Sequence, residues 1–364
     1  MPSRGMAFCL AEDRLDCETG LRLAILSLCK HCPDTPVYVY RPPLTPQFAS
    51  WVQQFPQVTL IPQKPAGAMQ WNCKPQALKP LLAKGHHEVV WLDSDVMVTN
   101  DCRRLFTILD ERVLAMAQEP ACQPHQGTEH RTVGWGFEVG RSLPFTLNSA
   151  VVRVTQHHLP LLERWRECLD DPQYVSVQNL PLEDRPVHMN GDQDVLIALL
   201  GSREFADIPL RVFGTGTEII HLGGQFGYSA IERLRGISKP APTFMHAIAG
   251  KPWLWFSGEP YWSKRDFFCW HRRLLQELSP YLYEARQYRN QLGSDPAWMY
   301  RRTLTGTIFR LLGFGHFGMR GLPLTMFAGM MHGLKKMLRP APARPVNMIG
   351  KGQSEQPRTN ESGT

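Results

Sequence analysis

The sequence predicts an α/β fold built on a mainly parallel, twisted sheet. Three observations carry that expectation. Strand-like and helix-like patterns alternate through the first hundred residues, as parallel sheets require. The strand-like runs are short and rich in β-branched and aromatic residues, as in "TPVYVY" and "VVWL". Carboxylates gather where two of these runs end, at Glu12–Asp13 and at Asp93–Asp95. In open α/β sheets ligands bind at the carboxyl ends of the strands.

Taken in order, "GMAFCLAED" (5–13) reads as a strand ending in acids. Leu21, Ala24, Ile25 and Leu28 then recur at helical spacing within 18–34, and Pro33 stops that helix. "TPVYVY" (35–40) and "VTLIP" (58–62) are the second and third strands, with a helix-compatible stretch at Phe48–Phe55 between them. "KPQALKPLLAKG" (74–85) is a helix with Gly85 at its C-terminal cap. The fourth strand lies in "HHEVVWLDSDVMVTN" (86–100). Residues 118–142 lack periodicity and read as a long functional loop. A strand at 143–154, helices at 157–169 and 191–202, and strand-then-loop units at 217–224 and 242–253 follow. From about Ser263 the chain turns helical and aromatic, then basic, and from Pro340 it is rich in Pro, Gly and polar residues. The expected units are therefore a main domain over 1–262, a basic helical region over 263–339 and a disordered tail over 340–364.

The chain is 364 residues long, with 43% hydrophobic and 20% charged residues, ordinary for a folded protein. "MPSRGMAFCLAED" runs straight into a strand with no long apolar region, so no secretory leader is expected. The nine cysteines are scattered, which points to a reducing, cytoplasmic setting. Cys29 and Cys32 have C-x-x-C spacing but close a helix rather than open one, so they read as ordinary helix-end residues.

The net charge of +7 is localised. Residues 1–295 hold 30 basic and 31 acidic side chains, and residues 296–364 hold 10 and 2. A nucleic-acid reader would carry its basic face on the folded domain, so no nucleic-acid partner is expected. Residues 297–339 interleave seven Arg/Lys, and no acid, with aromatic and aliphatic residues. The longest uncharged run there, Gly321–Leu334, has 14 residues, too few to span a bilayer. The composition suits an anionic membrane interface, placing the protein on the inner face of the cytoplasmic membrane. The plainer alternative is a helical appendage packed back on the main domain.

The Asp93–Ser94–Asp95 stretch interrupts the most apolar run of the chain. On a continuous strand residues i and i+2 face one side, so the two carboxylates would crowd together. That costs several kcal/mol unless a cation lies between them. The plain alternative is a strand that ends at Asp93. The sharper one is a divalent cation held by Asp93 and Asp95.

Four motifs in order extend this. "VVWLDSDVMV", "TLNSAVVRV", "NGDQDVLIALL" and "HAIAGKPW" together resemble the GT-A-fold glycosyltransferases, most closely the retaining family 8 type of nucleotide-diphospho-sugar transferase, over roughly residues 5–255. In "HAIAGKPW" three residues separate His246 from Gly250 and Lys251 follows at once, whereas that family usually has two residues in each interval. The resemblance implies transfer of a sugar from a nucleotide-sugar donor, UDP-linked, to a glycan or lipid-linked glycan. It implies Mn²⁺ (or Mg²⁺) on Asp93, Asp95 and His246, the imidazole favouring manganese. Glu12 and Asp13 would lie beside the nucleoside, Lys74 and Lys251 on the phosphates, and Asn148 on the donor sugar or phosphate. Asp192 would grip sugar hydroxyls and Gln193 would sit under the anomeric carbon, as retention is thought to need.

Plainer roles stand beside these. His246 in "TFMHAIA" fits a core histidine, Asn148 a turn cap, Asp192 a helix N-terminus, and Lys74 and Lys251 surface charges. Trp71, Trp135 and Trp253 fit packing better than sugar stacking. Glu138 and Asp194 are the candidate bases if the chemistry inverts. The rival enzyme is a haloacid-dehalogenase-like phosphatase, which also carries Asp-x-Asp after an apolar strand and which "GDQD" (191–194) loosely imitates. An inactive relative that only binds nucleotide sugar would carry the same motifs.

Overall fold

Seven strands in the order β3-β2-β1-β4-β7-β6-β8 form the central sheet of the computed structural model. It describes residues 5–65, 70–120, 128–222, 228–236, 241–248, 251–254, 274–293, 297–300, 302–314, 321–327 and 329–330. The first half follows the alternation of the sequence. β1 is Met6–Ala11, α1 Glu18–His31, β2 Val37–Tyr40, α2 Pro46–Val52, β3 Val58–Ile61, α3 Lys74–Ala83 and β4 Glu88–Leu92. β1 pairs in parallel with β2 and β4, and β2 with β3.

Beyond β4 come β5 (Val96–Val98), β6 (Leu114–Gln118), α4 (Glu129–Gly134), β7 (Leu147–Thr155), α5 (Leu159–Leu169), α6 (Pro172–Val177) and α7 (Asp192–Gly201). Then follow β8 (Leu210–Phe213), β9 (Ile219–His221), α8 (Ala230–Gly236) and β10 (Phe244–His246). β7 runs antiparallel to both β4 and β6, while β6 and β8 are parallel. The sheet is therefore mainly parallel, as the sequence predicts.

Alternate residues of each central strand feed two cores. Phe8, Leu10, Val90 and Leu92 pack with α1, and Cys9, Val89 and Trp91 pack against the apolar faces of α3, α5 and α7. Strands covered on both faces read as unbroken apolar runs, which is why β1 and β4 are so plain in the sequence. β6, "LAMAQ", has no β-branched residue and is not foreseen; its ladder with β7 and β8 overrides that weak local preference. The stretch expected to be a long loop at 118–142 is in part β6 and α4, with residues 121–127 outside the described residues.

The Asp-Ser-Asp stretch is not mid-strand. β4 ends at Leu92, Asp93–Asp95 is a turn, and Val96 enters a second sheet of order β5-β10-β9. The turn is closed by Val96 N donating to Asp93 O at 3.0 Å. The chain thus leaves one sheet and joins another across these residues.

Residues 280–293 and 297–299 pack back on the main domain. Tyr281, Leu282, Tyr288, Trp298 and Met299 join the core beneath α1 and α2. Arg22 Nη1 donates to Leu292 O at 2.8 Å and Trp51 Nε1 to Gln291 O at 2.6 Å. The boundary expected at 262/263 and the tail at 340–364 lie outside the described residues. Among the described residues no helix is long and apolar enough to cross a membrane. The described cysteines are free, Cys32 facing Cys102 with sulfurs 3.4 Å apart.

Candidate functional site

A cavity of about 430 Å³ opens at the carboxyl ends of β1 and β4, the size of a small-molecule site. The ten residues that the resemblance assigns to donor, metal or the retaining reaction line it: Glu12, Asp13, Lys74, Asp93, Asp95, Asn148, Asp192, Gln193, His246 and Lys251. The topology explains the convergence. β7 is antiparallel, so its first residues, with Asn148, lie at the same end of the sheet as the ends of β4 and β6. α7 delivers Asp192 and Gln193 in its first turn.

The acids of the Asp-Ser-Asp turn reach one point. One ligand atom each from Asp93, Asp95 and His246 lie within 4.8 Å of one another. Two carboxylates and one imidazole are a donor set that suits a divalent cation. The two oxygens of Asp95 face different partners. Oδ1 lies 3.4 Å from His246 Nε2, and Oδ2 accepts from the Lys251 ammonium, which also donates to Ala247 O at 2.7 Å. Burial pushes the Asp95 carboxyl up, but Lys251 and His246 outweigh it and hold it well below the ordinary range.

Behind Asp93 sits a buried ion cluster. Lys74 at the start of α3 lies 2.9 Å from Asp192 Oδ2 and 3.3 Å from Asp93 Oδ1, and donates to Ser149 Oγ at 2.6 Å. Ser149 Oγ in turn donates to Asp192 Oδ2 at 2.9 Å, and Trp91 Nε1 to Asp93 Oδ1 at 2.7 Å. Burial pulls the lysine down, but the Asp192 and Asp93 carboxylates overcome it and raise it above its usual value. For Asp192 burial wins over Lys74, and its carboxyl is raised. Lys74 is thus committed to protein carboxylates, holding Asp93 and Asp192 in place.

Glu12 is filled in the same way. It accepts from Arg14 backbone N, Nε and Nη2 at 2.8–2.9 Å and from Ser94 Oγ at 2.6 Å. Its effect is to aim Arg14, whose side chain stays 45% exposed on the cavity wall. Asp13 faces Lys64 at 3.6 Å.

Gln193 is gripped through both ends of its amide. Asn148 Nδ2 donates to Gln193 Oε1 at 3.2 Å, and Gln193 Nε2 donates to Glu119 Oε2 at 3.3 Å. Glu119 also accepts from Asn148 Nδ2 at 2.7 Å, and burial raises its carboxyl despite that bond. The two bases named for an inverting reaction are placed differently. Glu138 is exposed, paired with Arg203, and does not line the cavity. Asp194 lines it but is held by Arg131 Nε at 2.6 Å. Of the three tryptophans, Trp135 and Trp253 spend their Nε1 on His188 O and Asp16 O and pack, while Trp71 stands at the cavity mouth 39% exposed.

Sequence reasoning missed Arg14, Glu119, Ser149 and His221. Arg14 stands in full view beside Glu12. Glu119 sits at the end of a strand with no strand signal. His221 is buried under His246, with Nδ1 atoms 2.9 Å apart. Burial and the neighbouring ring push His221 down to about 3, so it is a neutral imidazole.

No protein-family model matches the sequence, and no curated protein matches it. The fold is similar to that of the galactosyltransferase LgtC solved with donor and acceptor sugar analogues: 15% identity, 79% of this chain and 100% of that one, TM-score 0.47. It is also similar to the glycosyltransferase GlyE of Streptococcus pneumoniae TIGR4: 17% identity, 80% of this chain and 66% of that one, TM-score 0.43. A third is mouse xyloside xylosyltransferase 1: 15% identity, 67% and 97% covered, TM-score 0.38. All three TM-scores lie below 0.5, so the functional reading is carried by the side chains of the cavity.

Proposed function

We propose that this chain is a metal-dependent glycosyltransferase of GT-A type, taking a UDP-linked sugar as donor and a glycan or lipid-linked glycan as acceptor. The observation that carries the reading is the meeting of Asp93, Asp95 and His246 in one cavity with Asn148, Asp192 and Gln193. A divalent cation held there supplies Lewis-acid stabilisation of the departing nucleoside diphosphate. The protein contributes the rest. Arg14, whose Nε and Nη2 are held by Glu12, offers the remaining donors of a half-exposed guanidinium to the diphosphate. Lys251, paired with Asp95 Oδ2, lines the same cavity. Asp192, fixed by Lys74 and Ser149, presents a carboxylate to sugar hydroxyls.

Retention of configuration fits this cavity better than inversion. Gln193 is presented with its amide orientation fixed, while Glu138 lies elsewhere and Asp194 is occupied by Arg131. The test is binding and slow hydrolysis of a panel of nucleotide sugars with and without Mn²⁺. One donor bound and hydrolysed only with the metal is the expected result. Phosphate release from simple monoesters without any donor binding would instead indicate the phosphatase.

The C-terminal region supports a membrane-surface acceptor. Leu304, Ile308, Leu311, Leu312, Met326 and Met330 are exposed there, within the segment that carries seven Arg/Lys and no acid. Apolar side chains among basic ones bind anionic bilayers through both terms. Co-sedimentation with phosphatidylglycerol vesicles should be strong, should weaken with salt, and should be lost when residues 304–364 are removed, a cut that leaves Trp298 and Met299 in the core. Binding that survives the truncation would refute this placement.

A further inference from the structure

His246 is half of a buried imidazole pair whose hydrogen bonds run in one direction. β9 and β10 are parallel, with His221 and His246 in register. His221 Nε2 lies 2.8 Å from Gln118 O at the end of β6. A carbonyl oxygen only accepts, so His221 Nε2 carries its ring proton. In a neutral ring the other nitrogen is then a bare lone pair. The hydrogen shared across the 2.9 Å between the two Nδ1 atoms therefore belongs to His246. That leaves His246 Nε2 as the nitrogen facing Asp95 Oδ1, 3.4 Å away.

An imidazole nitrogen opposite a carboxylate oxygen calls for a positive centre between them, a proton or a metal cation. We infer that His221 is a positioning residue: it fixes His246 as the Nδ1–H tautomer and so presents Nε2 to a divalent cation shared with Asp93 and Asp95. The inference rests on the metal reading of the cavity. The second ring nitrogen of a metal-bound histidine usually donates to a carboxylate, a carbonyl or a water. Here a second imidazole passes the constraint on to a backbone carbonyl. A neutral partner also adds no charge, so the ligand set keeps the two negative charges of Asp93 and Asp95 opposite a divalent cation. The strand register supplies the device: β10 alone would hold His246 buried but would leave its ring free to choose a tautomer.

The test is Mn²⁺ affinity of the full chain without donor, read from the free-ion EPR signal. His221→Leu removes the acceptor and should weaken Mn²⁺ binding about 10–100-fold, the usual effect of losing such a partner. His221→Asn, whose Oδ1 takes the place of Nδ1 and accepts the same hydrogen, should bind close to wild type. Wild-type affinity in His221→Leu, with Asp95→Asn impaired, overturns the positioning role alone. Wild-type affinity in Asp95→Asn overturns the metal reading and the inference with it. Should His221→Leu not fold, long-range ¹⁵N–¹H correlation of the wild-type rings decides. Protonated Nε2 with bare Nδ1 on His221 is expected; a proton on its Nδ1 is the contrary result.

Discussion

Asp95→Asn should reduce metal-dependent donor turnover by roughly a thousandfold, the several kcal/mol that a Lewis-acid contact supplies at tenfold per 1.36 kcal/mol. The size of the effect follows from what the carboxylate does. It faces His246 with one oxygen and Lys251 with the other, and those partners keep it ionised in a buried setting. Asparagine preserves the shape and one hydrogen bond to Lys251 but removes the charge that would hold a cation. Lys251 retains its bond to Ala247 O, so the fold should survive, and circular dichroism should match wild type. The decisive readout is nucleotide-sugar hydrolysis at saturating Mn²⁺. Turnover within tenfold of wild type would remove Asp95 from the metal shell.

Lys74→Met is expected to be the most destabilising single change at the site. Its ammonium is buried among Asp93, Asp192 and Ser149. Removing one partner of a buried ion pair costs about 3–5 kcal/mol because the other charge is left uncompensated. Burial already raises the Asp192 carboxyl even with the lysine present, and without it the rise is larger. A carboxyl whose folded pKa lies above its unfolded value costs stability wherever the unfolded chain would ionise. The deficit should therefore be largest at neutral pH and shrink as the pH falls towards the unfolded carboxylate range. Adding Asp192→Asn to Lys74→Met should recover part of the loss at pH 7 but none of the activity. Urea unfolding at neutral and acid pH measures both. A deficit independent of pH, or no recovery in the double variant, would show that Lys74 acts by packing rather than by charge.

Local pattern made the first half of the fold legible. β1, β2 and β4 are apolar because both faces are covered, β3 is a half-buried edge strand of β-branched and aliphatic residues, and the helices between them have clear apolar stripes. β6 and β8 were not legible, since their strand state comes from ladder partners distant in the chain. The Asp pair was read from its own residues, but its conformation was not. A period-two pattern cannot show that a chain changes sheets between Leu92 and Val96.

The sequence by itself determined which side chains are available and where they fall: acids at strand ends, Asn148 opening β7, and Asp192–Gln193 opening α7. Their types and positions follow from local chemistry, and the cavity gathers them all. Only the tertiary structure decided how each charge is used. Lys74 is turned inward to Asp93 and Asp192, Glu12 is spent on Arg14 and Ser94, and His221 is placed against His246 by a register between strands 25 residues apart. Hydrogen bonds and ion pairs depend on ångström-scale approach between segments far apart in the chain, and no local pattern encodes that approach.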